Sequence, residues 1–145
     1  MATDRVSESI QIDADLGAVF EVVGDFEAYP DWQEEFTDAE VLETGDDGWG
    51  TKARYKMSAM GITITMVLAY TYSDTEMSWR LVESDKLQRN DGAYRMADLG
   101  DGGTELTYEL EIESNLPLPS FVRKKLTKKI VHDALVGVKA RAEGG

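Results

Sequence analysis

Apolar and polar positions alternate along most of this chain, and elsewhere apolar residues recur every three or four positions. Residues 5–12 alternate, with Val6, Ile10 and Ile12 on one parity, the pattern of a strand with one buried face. Asp13 and Asp15 then offer capping carboxylates. Leu16, Val19, Phe20 and Val23 follow at the spacing of a short amphipathic helix, which Gly24 ends. The next stretch, D-F-E-A-Y-P-D-W at residues 25–32, crowds three rings and a proline among three carboxylates. Asp25 is expected to cap a second short helical turn over residues 26–29. Pro30 disfavours helical geometry at Tyr29 and is expected to bend the chain there.

From residue 36 the period is two. Residues 36–44, 51–60, 62–72, 76–83, 87–97 and 104–113 read as strands separated by short turns such as G-D-D-G and G-D-G-G. That spacing favours antiparallel pairing. After N-L-P-L-P at 115–119, Val122, Leu126, Ile130, Ala134 and Val138 recur at intervals of four. They predict a helix of about 22 residues, some 33 Å long. Gly137 interrupts it at a cost of about 1 kcal/mol against alanine, which points to a bend or a close contact. An apolar sheet face needs a cover, and this helix is the one element large enough. The predicted class is α+β: seven antiparallel strands, two short helices between strands 1 and 2, and a long C-terminal helix, in one domain over residues 1–145.

The inward parity names candidate interior residues strand by strand. These are Tyr55 and Met57, then Ile64, Met66, Leu68 and Tyr70, then Trp79 and Leu81, Tyr94 and Met96, and Tyr108 and Leu110. The helix contributes Leu126, Ile130 and Ala134. Taken singly, each reads more simply as core filling, a tyrosine hydroxyl finding its own partner.

Composition narrows the chemistry. With 145 residues, 42% apolar and 30% charged, the chain can bury a real core. It has no cysteine, which excludes disulfides, thiolate metal sites and cysteine nucleophiles. Its single histidine, His132, excludes zinc sites built on several histidines and gives no basis for a Ser-His-Asp set. No metal and no cofactor is expected. The first residues carry no apolar signal region and no apolar run reaches 18 residues, so a cytoplasmic location is expected. A net charge of -13 argues against nucleic acid as a partner. Yet seven of the 15 basic residues and one of the 28 acidic ones fall within residues 120–141. That basic arm either offsets the acidic body through surface pairs or meets an anionic surface or an acidic carrier.

Several stretches together resemble one superfamily: I-x-I-D-A-D-L-G-A-V-F (10–20), D-F-E-A-Y-P-D-W (25–32), G-A-Y (92–94), G-T-E-L-T-Y-E-L (103–110) and N-L-P-L-P-S-F (115–121). They resemble the helix-grip superfamily of START, birch-pollen-allergen (Bet v 1) and SRPBCC domains. Within it the chain looks most like the bacterial polyketide cyclase/dehydrase and lipid transport family, which also holds coenzyme-Q-binding proteins. The resemblance implies a seven-stranded sheet wrapped around the last helix, with an apolar cavity between them. It implies binding or transport of a hydrophobic small molecule such as a lipid, a quinone or a polyketide. An enzymatic alternative is a polyketide cyclase, aromatase or dehydratase, although no catalytic residue can be named. A second alternative is a macromolecular interaction module using the basic helix.

Arg54, Arg80 and Arg95 fall on the outward parity, and the pairs Glu34-Glu35 and Asp46-Asp47 read as solvated surface. Phe26, Tyr29 and Trp32 are expected to wedge the corner at the open end of the sheet and border the pocket entrance. Oligomeric state is left open.

Overall fold

The computed structural model describes residues 2–144. Its seven strands are β1 (Ala2–Ile12), β2 (Phe36–Thr44), β3 (Gly50–Ala59), β4 (Ile62–Tyr72), β5 (Glu76–Ser84), β6 (Leu87–Asp98) and β7 (Thr104–Ser114). They form one antiparallel sheet in the order β1-β7-β6-β5-β4-β3-β2. Strand β7 shows why. Leu106, Tyr108 and Leu110 are buried, while the intervening Thr107, Glu109 and Glu111 stay partly exposed, so only one register hides the apolar set.

Between β1 and β2 run α1 (Leu16–Gly24), a 3-10 turn (Phe26–Ala28) and α2 (Tyr29–Trp32). Asp15 caps α1, its Oδ1 accepting the Ala18 N–H at 2.8 Å. Two local expectations fail here. Asp25 makes no side-chain capping bond. Tyr29 is helical (φ -51°, ψ -43°) despite preceding Pro30, because Pro30 lies in the first turn of α2, where a missing N–H costs nothing.

Helix α3 (Ser120–Gly144) lies across the sheet. Its core stripe is Thr127, Val131, Ala134, Leu135 and Val138, which keeps Ala134 and Val138 of the expected set. Val122, Leu126 and Ile130 are only half-buried. The C-terminal half of α3 is therefore packed, and its N-terminal half spans open space. Gly137 marks a close contact: a Cβ there would lie 2.5 Å from the Trp32 ring. No helix among the described residues is long and apolar enough to cross a membrane.

Candidate ligand cavity

A cavity of about 100 Å³ lies between the sheet and the first half of α3. Its wall is aromatic. Tyr55 and Tyr70 join hydroxyl to hydroxyl at 2.5 Å, and Tyr94 and Tyr108 face each other with centroids 4.4 Å apart. Trp79 packs between these pairs, 5.9 Å from Tyr70, 5.5 Å from Tyr94 and 5.7 Å from Tyr108. Gly92 makes room for it, since a Cβ there would meet the indole at 2.4 Å. Trp79 Nε1 donates to Asn90 Oδ1 at 3.0 Å, and Asn90 Nδ2 reaches Met66 Sδ at 3.2 Å.

Burial pushes the phenols of Tyr29, Tyr55, Tyr70, Tyr94 and Tyr108 above their ordinary range, so the wall presents neutral hydroxyls. Tyr29 donates to the Val23 carbonyl. Among the described residues Tyr94 and Tyr108 make no side-chain hydrogen bond, which leaves two hydroxyls able to serve a guest in the cavity.

At another part of the lining stand Asp4, Ser114, Arg123 and Thr127. Asp4 is buried on β1, and its Oδ2 accepts from Arg123 Nε at 3.1 Å. Arg123 Nη1 donates to the Leu118 carbonyl at 3.2 Å. An ion pair thus forms part of the wall of a mainly apolar chamber.

A second, open groove of about 840 Å³ adjoins the cavity, sharing Ala59 and Leu126 with it, and is its candidate mouth. Met60 and Phe121 line it. At 62% and 73% exposure they are the most exposed large apolar side chains among the described residues. Met60 sits at the β3–β4 turn with φ 54°, a left-handed conformation that L residues seldom adopt. Beside the groove the carboxylates of Glu34, Glu35 and Asp133 converge. The Lys129 ammonium occupies their centre, at 3.3, 3.2 and 2.6 Å. These carboxylates raise the Lys129 pKa above its ordinary value, and the cluster is a filled ion-pair site. Glu35 is buried, contrary to its reading as solvated surface.

Of the residues expected inside, Tyr55, Met57, Ile64, Met66, Leu68, Tyr70, Trp79, Tyr94, Tyr108, Leu110, Leu126 and Ile130 come together around the cavity. Three do not. Leu81 is half-buried against the core, next to the register shift between Val67 and Leu68. Met96 is buried opposite Leu106, and Ala134 is buried on the core stripe of α3. The expected entrance is also displaced. Phe26 stacks on Tyr70 at 4.2 Å in the core, Trp32 packs on Gly137, and Tyr29 forms part of the inner wall. Arg54, Arg80 and Arg95 are exposed, as their parity requires. Sequence reasoning missed Asp4, Gln33, Asn90, Ser114, Arg123 and Thr127. Asp4 shares the parity of Val6, Ile10 and Ile12, and that was the available signal.

The curved sheet gripping α3 is the START/Bet v 1 helix-grip fold. The family model described as polyketide cyclase / dehydrase and lipid transport matches residues 3–143, and the chain belongs to that family. A START superfamily protein from Mycobacterium smegmatis is similar in structure, with 25% identity, 97% of each chain covered and a TM-score of 0.85. An aromatase/cyclase from Streptomyces sp. R1128 shares the fold at 18% identity, covering 98% of this chain and 94% of its own, with a TM-score of 0.82. A STAR-related lipid transfer protein from Xanthomonas axonopodis shares it at 15% identity, covering 95% and 85%, with a TM-score of 0.73. No curated protein matches the chain in sequence.

Proposed function

We propose that this protein binds or carries a hydrophobic small molecule in the cavity between the sheet and α3, with the cytoplasm as its compartment. The observation that carries this reading is the chamber itself: rings and aliphatic side chains line it, and few polar groups converge on it. The chamber is smaller than the roughly 300–1,000 Å³ of drug-sized sites, so a lipid-sized guest also occupies the mouth beneath Met60 and Phe121. Native mass spectrometry of the purified protein, followed by organic extraction, tests this. A co-purifying apolar molecule is the expected result. A protein that is always empty, and stays empty when offered fatty acids, quinones or aromatic polyketides, refutes it.

One observation favours a second reading, a polyketide cyclase or aromatase: an ionisable pair, Asp4 and Arg123, reaches the cavity. An arginine on one part of the wall and free tyrosine hydroxyls on another supply donors for the oxygen of a developing enolate. Incubation with a short poly-β-keto thioester separates the two readings, since only an enzyme raises the yield of one aromatised product above the uncatalysed background.

The basic stretch fits a carrier of either kind. Among the described residues Lys124, Lys125 and Lys128 are exposed and have no carboxylate partner in ion-pair range, whereas Lys129 is held by three. They offer charge to an anionic surface or an acidic carrier protein at the mouth. Changing all three to glutamate is expected to abolish sedimentation with anionic vesicles, or pull-down by an acidic carrier, without changing the cavity.

A further inference from the structure

We propose that the cavity selects ligands bearing a hydrogen-bond donor, an alcohol, phenol or amine, and seats that donor on Asp4. This rests on the reading of the cavity as a ligand site and names the chemistry of what it takes.

Asp4 occupies an inward position on β1 and is 2% exposed. A charged residue there needs more than one partner, because a carboxylate has about four acceptor sites. Only Oδ2 is engaged, by Arg123 Nε at 3.1 Å. Asp4 Oδ1 is shielded from solvent and has no partner among the described residues. Arg123 is itself committed on Nε and Nη1.

If the pair served only to pin α3 to β1, an unmade bond on a buried carboxylate would be a net cost, and an apolar pair would do as well. Asp4 instead lines the chamber together with Ser114 and Thr127. A ligand donor satisfies Oδ1 when the chamber widens around a guest, and the bond missing from the empty protein becomes affinity for the filled one. The carboxylate also sets a sign. Its free Oδ1 accepts from neutral or cationic donors and offers nothing to an anionic head, whose desolvation would go unrepaid, while Arg123 is already paired with Asp4.

Three probes with one body test this: 2-naphthol carries a donor, 2-methoxynaphthalene an acceptor only, and 2-naphthoate a negative charge. Fluorescence titration of the full chain is expected to give naphthol about tenfold tighter binding than the ether, with naphthoate weakest. Asp4→Asn is expected to shrink the naphthol-to-ether ratio to about threefold or less. Circular dichroism checks that this variant folds. Should it not, the double variant Asp4→Leu/Arg123→Leu, which leaves no charge unpaired, carries the same comparison. Equal binding of naphthol and ether by the wild type, a preference for naphthoate, or a ratio that survives loss of Asp4 overturns the donor site while leaving the cavity reading intact. Failure of all three probes to bind overturns the cavity reading as well.

Discussion

Two stretches of this chain look alike on paper and behave as opposites. D-F-E-A-Y-P-D-W (residues 25–32) and L-P-L-P-S-F-V-R-K-K (residues 116–125) each combine a phenylalanine, proline and charge. Phe26 is 1% exposed and stacked on Tyr70, with Tyr29 and Tyr55 edge-on at 5.8 and 6.4 Å. Phe121 stands almost free at the cavity mouth. Ring content alone does not separate a corner from an entrance. What separates them is the neighbouring surface: the corner meets the inner face of the sheet, and the start of α3 overhangs the groove.

The sharpest way to break this contrast is to truncate both rings. Phe26→Ala removes a fully buried ring from a stacked cluster and is expected to cost about 3–5 kcal/mol in urea denaturation. Phe121→Ala is expected to stay within about 0.5 kcal/mol of the wild type, as surface changes do. Comparable losses would mean that Phe121 is also packed and that the mouth lies elsewhere.

A second substitution probes how firmly the corner is seated. Alanine at Gly137 gains about 1 kcal/mol of helix propensity, but its Cβ would strike the Trp32 ring, and overpacking of this kind costs about 1–3 kcal/mol. Gly137→Ala is therefore expected to be neutral to destabilising by about 2 kcal/mol at most, read as the shift in urea midpoint. A gain in stability would show that Trp32 yields and that the contact is loose.

The same contrast explains what could be read from the chain before its structure. Strand parity is local: it follows from alternation and the pleat, so Tyr55, Tyr70, Trp79, Tyr94 and Tyr108 could be placed on the inner face. Where along that face the open space lies is not local. It depends on the curvature of the sheet and on which part of α3 descends onto it. For that reason the sequence alone puts Leu81, Met96 and Ala134 in the lining, and Phe26 and Trp32 at the entrance, where the fold does not. Asp4 and Arg123 show the limit most clearly. Each resembles a solvated charge among its neighbours, and nothing near either residue points to a partner 119 positions away. Only the fold brings β1 against the first turns of α3.

The smallest expected effect concerns how α3 is held along β1, beside its packed half. His132, the chain's one histidine, is exposed on α3, and its Nδ1 lies 2.7 Å from a Glu8 carboxylate oxygen on β1. The hydrogen bond to Glu8, reinforced by its charge, raises the His132 pKa above the ordinary 6.5. A pKa raised by folding means the folded state holds the proton more tightly than the unfolded chain. The added stability is therefore complete below about pH 6.5 and is lost as pH rises through the higher folded value. Melting temperatures taken from pH 5.5 to 8.5 should show a slight decline through this window in the wild type. His132→Gln and Glu8→Gln should each flatten that decline while leaving the melting temperature at pH 8.5 nearly unchanged. An NMR titration placing His132 at or below 6.5 would refute the pairing, and α3 would then owe its seat along β1 to apolar packing, the Arg123–Asp4 pair and the Lys139 bond to the Gln11 carbonyl.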